Sequence, residues 1–156
     1  MKNVQLSTYH IDAVDKQIIY MLMDNAKTSL AHISKYVGIS TTAVHQRIKK
    51  LEQAGVIENS ISILNPRNVG YKVVSYIGTY LDQPSHYQEA IKALKDINEI
   101  VEAHYTTGNY SLFLKVLCKD NDHLMEILKK LQKLKGVTRT ETFISLEQSI
   151  NRQLKV

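Results

Sequence analysis

The chain reads as an α+β protein in two parts: a helical first third, then a longer stretch in which strands alternate with helices. Three features carry this reading. Residues 11–55 hold three amphipathic segments at helical spacing, each opened by a capping residue. Residues 71–147 switch to strand-like runs interleaved with two more helical stripes. Between them, Asn65-Pro66-Arg67-Asn68-Val69-Gly70 holds one of only two prolines in the chain and marks a break.

The first helix is expected from about Asp12 to Asp24. Asp12 can cap it, Asp15 places negative charge near the positive end of the helix dipole, and Val14, Ile18, Met21 and Leu22 share one face. The second runs from about Ser29 to Val37. Ser29 is its N-cap, Leu30, Ile33 and Val37 are its apolar stripe, and Gly38 suits a left-handed stop. After the turn Gly38-Ile39-Ser40, a third helix starts at the Ser40 cap and ends at Gly55, with Val44, Ile48 and Leu51 inward. Two short helices across a glycine turn, completed by a preceding helix, describe a helix-turn-helix, taken here as the winged type. A short linking strand is expected at Ile57–Leu64, where Ile61 and Ile63 alternate with polar residues.

The second part is expected as a strand at Tyr71–Leu81, a helix at Ser85–Ile97, strands at Ile100–Thr107 and Tyr110–Cys118, a helix at Asp122–Lys135 stopped by Gly136, and a strand at Val137–Leu146. This β-α-β-β-α-β order is the ferredoxin-like arrangement, an antiparallel sheet with both helices on one face. The expected domains are residues 1–60 for the helix-turn-helix, 61–70 for the linker and hinge, and 71–156 for the ferredoxin-like unit. Leu112, Leu114 and Val116 alternate with Phe113 and Leu117, so both faces of the sheet are substantially apolar. The face without helices needs a cover, which predicts that two chains pack sheet to sheet as a homodimer.

Composition narrows the classes. Hydrophobic residues are 44% and charged residues 22% of 156, which suits a globular chain and not a disordered one. No run approaches the roughly 20 apolar residues of a membrane helix, and Met1–His10 is polar, unlike a signal peptide. A lone cysteine, Cys118, leaves no internal disulfide and no multi-cysteine zinc site. The expectation is a cytoplasmic protein. The net charge of +5 permits a polyanionic partner. The excess is spread along the chain, so only local placement can argue for one.

That placement occurs on the third helix. With Val44, Ile48 and Leu51 inward, Thr42, Gln46, Lys49 and Gln53 point outward, flanked by His45 and Lys50, and the face has no carboxylate. Gln can pair with adenine and Thr can offer a hydroxyl or methyl to a base edge. Double-stranded DNA is the expected partner. Thr42, His45, Gln46 and Lys49 are expected at base edges, with Ser40, Thr41, Lys50 and Arg47 at phosphates. Arg47 lies nearer the buried flank, where pairing with a carboxylate such as Asp15 is the other reading.

Taken in order and spacing, several stretches resemble the Lrp/AsnC family of feast/famine transcriptional regulators over nearly the whole chain. In the first part these are Ile11-Asp12-Ala13-Val14-Asp15, Ile18-Ile19, Val37-Gly38-Ile39-Ser40, Val44, Arg47-Ile48, Leu51-Glu52 and Gly55-Val56-Ile57. In the second they are Thr107-Gly108-Asn109-Tyr110 and Gly136-Val137-Thr138-Arg139-Thr140-Glu141-Thr142. The resemblance implies a sequence-specific DNA-binding regulator whose dimers assemble to a tetramer or octamer, with a free amino acid as effector. By position the effector residues would be Gly108, Asn109, Tyr110, Ser111, Thr140 and Thr142. Many members carry two aspartates in that loop, where this chain has Asn109 and Ser111. A desolvated ammonium needs strong acceptors, so Glu141 or a carboxylate of another chain would have to supply the charge. Gly108-Asn109 also suits a plain hairpin turn, because both residue types tolerate positive φ.

No catalytic residue, metal site or cofactor is expected. The histidines, at positions 10, 32, 45, 86, 104 and 123, show no paired ligand spacing, and no phosphate loop or nucleophile elbow occurs. Two alternatives stay open. Some sirohaem decarboxylases resemble this family, and His104 and Tyr105 could be read in that light. An architectural DNA-binding protein without an effector is the other.

Overall fold

A computed structural model describes residues 9–156, so most of the polar N-terminal stretch lies outside the described residues. The chain divides at Ile63/Leu64 into two compact units, and Asn151–Val156 group with the first. The expected second domain ran to 156, so this tail is a departure from it.

The first unit holds α1 (Ala13–Asp24), α2 (Leu30–Val37) and α3 (Thr41–Gln53). Their starts follow from local chemistry. Asp12 and Asp15 form a reciprocal capping box on α1, and the side chains of Ser29 and Ser40 accept from the N–H groups of His32 and Ala43. Gly38 ends α2 at φ 75°, a left-handed conformation that costs a side chain with a Cβ steric energy. Ile18, Ile33 and Val44, one from each helix, are fully buried against one another. The linking strand expected at residues 57–64 does not form, and no strand of a wing follows α3 among the described residues. Ile61 and Ile63 alternate as a strand would, but both are exposed and no neighbouring backbone pairs with them. Period-two alternation yields a strand only where a ladder is available.

The second unit opens with a 3-10 turn at Pro66–Val69, capped by Asn65. It continues through β1 (Val73–Leu81), a second 3-10 turn at Pro84–His86, α4 (Tyr87–Leu94), β2 (Ile100–Tyr105), β3 (Leu112–Cys118), α5 (Asn121–Gln132) and β4 (Val137–Ile144). The elements are shorter than expected by one to three residues at most ends. The helix expected from Ser85 starts only after the proline turn. The four strands form one antiparallel sheet in the order β2-β3-β1-β4.

The alternation of β3 sorts the two faces. Leu112, Leu114, Val116 and Cys118 are fully buried with Ile77 of β1, under Ala90, Leu94 and Ile97 of the α4 region and Leu124, Ile127 and Leu131 of α5. Burial pushes the Cys118 thiol pKa up, which keeps it protonated and unreactive. Among the described residues, the Thr79 hydroxyl is buried in this layer without a hydrogen-bond partner. A buried hydroxyl left unpaired carries a desolvation cost, so Thr79→Val should raise stability by about 1 kcal/mol. Urea unfolding should show a higher midpoint at unchanged m. A lower midpoint would mean that the hydroxyl does have a partner.

Candidate functional site

The outer face of α3 is built by its own periodicity. Thr41, Thr42, His45, Gln46, Lys49 and Lys50 are all exposed, as is Ser40 at the cap, while Val44 and Leu51 are fully buried beneath them. The cap uses the Ser40 oxygen as an acceptor, leaving its proton free to donate to a phosphate. Arg47 is the exception. Its Nη1 donates to Asp12 Oδ2 at 2.7 Å and Asp15 Oδ1 at 2.8 Å, and its side chain is only 31% exposed. The sequence left Arg47 between phosphate and carboxylate, and the fold places it on the carboxylates. Its cap bond from the Asp15 N–H and the Arg47 guanidinium together hold the Asp12 carboxyl below its ordinary range.

The face of the sheet opposite the helices carries an aromatic cluster. Tyr76 and Phe113 stack at 5.9 Å between centroids, Tyr110 stacks on Phe113 at 5.8 Å, and Phe143 meets the edge of Tyr110 at 6.4 Å. Phe143 is half exposed. The Tyr110 ring lies directly on Gly78, where an added Cβ would meet ring carbon at 2.4 Å. A glycine inside a strand often marks such a close approach, and this was the available sequence signal for the Tyr110 contact. The flanking Tyr76 and Tyr80 point to the same face.

Glu141 closes one end of the cluster. Its Oε1 accepts from the Tyr80 hydroxyl at 3.1 Å and its Oε2 from the Tyr110 hydroxyl at 2.8 Å. Arg139 pairs with it at 2.5 Å and lies over the Tyr80 ring at 5.2 Å. The Tyr110 and Tyr80 hydroxyls hold the Glu141 carboxyl below its ordinary range; the same bond raises the Tyr110 phenol, while burial, with the Glu141 bond behind it, raises that of Tyr80.

The six expected effector positions fall on the β2–β3 loop and on β4. Gly108 and Asn109 are exposed in the β2–β3 loop, and neither takes a positive φ, so the tight-turn reading does not describe this loop. It is closed instead by the Thr106 N–H donating to Ser111 O and by the Thr106 hydroxyl on Tyr110 O. Ser111 ties the loop to β1, donating its N–H to Thr79 O and accepting the Leu81 N–H on its hydroxyl. Tyr110 stands on the open face. Thr140 and Thr142 pair with Thr79 and Ile77 of β1, so they belong to the helix-bearing face, and Thr140 accepts from Gln132 at 3.5 Å. Alternation along β4 separates them from Glu141.

No group of three His, Cys, Asp or Glu side chains that could hold a metal ion occurs among the described residues, and none of their helices is long and apolar enough to cross a membrane.

Comparison with known proteins fits this two-part plan. Residues 11–52 match the AsnC-type helix-turn-helix domain and residues 74–154 the Lrp/AsnC ligand binding domain. The chain belongs to the Lrp/AsnC family. Within it, the chain is 38% identical to the regulatory protein AsnC of Escherichia coli (strain K12), over 96% of this chain and 99% of that one. It is 34% identical to the HTH-type transcriptional regulator FL11 of Pyrococcus furiosus, over 88% and 90%. The solved structure of E. coli AsnC superimposes with a TM-score of 0.90, covering 95% of this chain and 100% of that one. A feast or famine regulatory protein of M. tuberculosis, solved in complex with L-methionine, shares the fold at a TM-score of 0.86 and 24% identity, covering 94% and 100%. As a family member with an AsnC-type helix-turn-helix, this chain is a DNA-binding transcriptional regulator. Both of these relatives are regulatory proteins.

Proposed function

We propose that this Lrp/AsnC member is a sequence-specific regulator acting in the cytoplasm, reading duplex DNA with α3 and responding to a free amino acid through its C-terminal unit. The observation that carries the reading is the outer face of α3, where hydroxyl, amide and ammonium groups are exposed together from Thr41 to Lys50 without a carboxylate. Thr42, His45, Gln46 and Lys49 approach base edges, and Ser40, Thr41 and Lys50 hold phosphates. Two chains join through the aromatic sheet face and present two copies of α3 to a two-fold related site, and dimers associate further to a tetramer or octamer. The helix-turn-helix in residues 1–60 binds DNA, residues 61–70 link, and the remainder assembles the oligomer and receives the effector. The methionine complex of the M. tuberculosis protein supports an amino acid as the ligand class. The β2–β3 loop at Gly108–Ser111 and the outer part of β4 at Thr140 and Thr142 are where we place it.

Capture of sheared genomic DNA at near-physiological salt, with and without a mixture of amino acids, tests this. Enrichment of a few two-fold symmetric sites that changes with amino acids supports it. Broad capture without enrichment replaces it with an architectural role, and an unchanged pattern removes the effector. On an enriched site, Gln46→Ala should cost about 1–3 kcal/mol and relax base preference there. Lys50→Ala should weaken every duplex and lower the salt slope by about one unit. Equal losses on specific and random DNA for Gln46→Ala would remove that residue from base reading.

A further inference from the structure

We propose that Arg47 is a positioning residue that locks α3 onto the N-terminus of α1, and that it makes no contact with DNA phosphate. The inference rests on the reading of α3 as the DNA-binding helix.

The geometry is a closed network. Asp12 Oδ1 accepts from the Asp15 N–H at 2.8 Å and Asp15 Oδ2 from the Asp12 N–H at 3.2 Å, which is the capping box of α1. The remaining oxygens, Asp12 Oδ2 and Asp15 Oδ1, both accept from Arg47 Nη1. The Tyr9 hydroxyl donates to Asp15 Oδ2 at 3.2 Å. All four carboxylate oxygens are thereby engaged. The box that starts α1 is also the socket for a side chain 32 to 35 residues further along the chain.

Charge and burial decide what Arg47 can do. Asp15 is 1% exposed, and a buried carboxylate requires a partner. One guanidinium shared by two carboxylates leaves the cluster with a formal excess of one negative charge, so it offers no free cation to a phosphate. Gln46 and Lys50 line the same cavity of about 330 Å³ as Arg47, Asp12 and Asp15. The lock therefore lies directly beside two side chains assigned to DNA, and the setting of α3 fixes where they point. Preorganised groups discriminate better than mobile ones because less order must be imposed on binding.

The test uses the full chain, an enriched genomic duplex, a random duplex, and thermal unfolding. Arg47→Met should lower Tm and reduce affinity for the enriched duplex at least tenfold more than for the random one. The slope of log K against log salt should stay within half a unit of wild type. Arg47→Lys keeps a cation within reach and should recover most of the ratio. If the slope falls by about one unit with Tm unchanged, Arg47 is a phosphate contact and the proposal fails. Equal losses on both duplexes would reduce Arg47 to a purely structural role and also overturn it. Should Arg47→Met not fold, Asp12→Asn serves, since Asn caps helices as well as Asp. A smaller loss of the same ratio at constant slope supports the lock, and tighter binding to random DNA with a steeper slope refutes it. If wild-type protein binds neither duplex, the reading of α3 fails, while Tm still reports the lock.

Discussion

Phe113→Asp should break the proposed sheet-to-sheet dimer into monomers and weaken binding to a two-fold symmetric duplex by 100-fold or more. Phe113 lies between Tyr76 and Tyr110 on the sheet face opposite the helices, and its register partner across β1 is Gly78. In the proposed sheet-to-sheet interface a carboxylate there would be desolvated among aromatic rings, which costs far more than the lost ring contacts. The effect on DNA follows from avidity. Two α3 helices held together make the second half-site contact intramolecular, and severing that link forfeits about 10² to 10⁴ in apparent affinity. The core lies on the other face, under Leu112, Leu114 and Val116, so the monomer should keep its circular dichroism spectrum. Sedimentation equilibrium beside a DNA titration checks both halves. An unchanged mass would mean that the aromatic face is not the interface.

Ile18→Ala should abolish DNA binding by unfolding the helix-turn-helix while the sheet unit persists. Ile18 is fully buried and packs against Ile33 of α2 and Val44 of α3, so its removal opens a cavity where all three helices meet. Such truncations cost about 2–5 kcal/mol. A unit of roughly 60 residues has only about 3–9 kcal/mol of stability to lose. The upper part of that cost exceeds the lower part of that reserve, so a large fraction of molecules should be unfolded in the first unit at growth temperature. Amide hydrogen exchange should show protection lost in α1 to α3 and retained in β1 and β3. Equal loss across the whole chain would show that the two units unfold as one.

The three N-terminal helices were legible because their determinants are local. Asp12, Ser29 and Ser40 each accept from an N–H three residues on, and Gly38 ends α2 through its own φ. The inward and outward faces of α3 follow from a 100° step per residue, which also exposes the set proposed to face DNA. Alternation sorted Leu112, Leu114 and Val116 from Phe113 and Leu117 in the same way. The family resemblance was carried by the order of these pieces. It carried the effector positions Gly108, Asn109, Thr140 and Thr142 by alignment alone, onto the β2–β3 loop and β4.

What the residues settled unaided are the helices, their caps, the strand faces and the β-α-β-β-α-β order, since these depend on neighbours within about four positions. The fold alone settled which distant partner each ambiguous group would take. Arg47 was chemically suited to a phosphate or a carboxylate, and the closure of α3 on α1 gave it Asp12 and Asp15. Tyr110 was expected to open the third strand and to sit in the carried-over loop; the fold keeps it in the loop, with Gly78 beneath its ring and Glu141 beside its hydroxyl. Residues 57–64 had the alternation of a strand and no ladder to join. Periodicity and capping energies are properties of a short stretch of chain. Pairing between side chains 30 or more residues apart exists only after packing has fixed which surfaces meet.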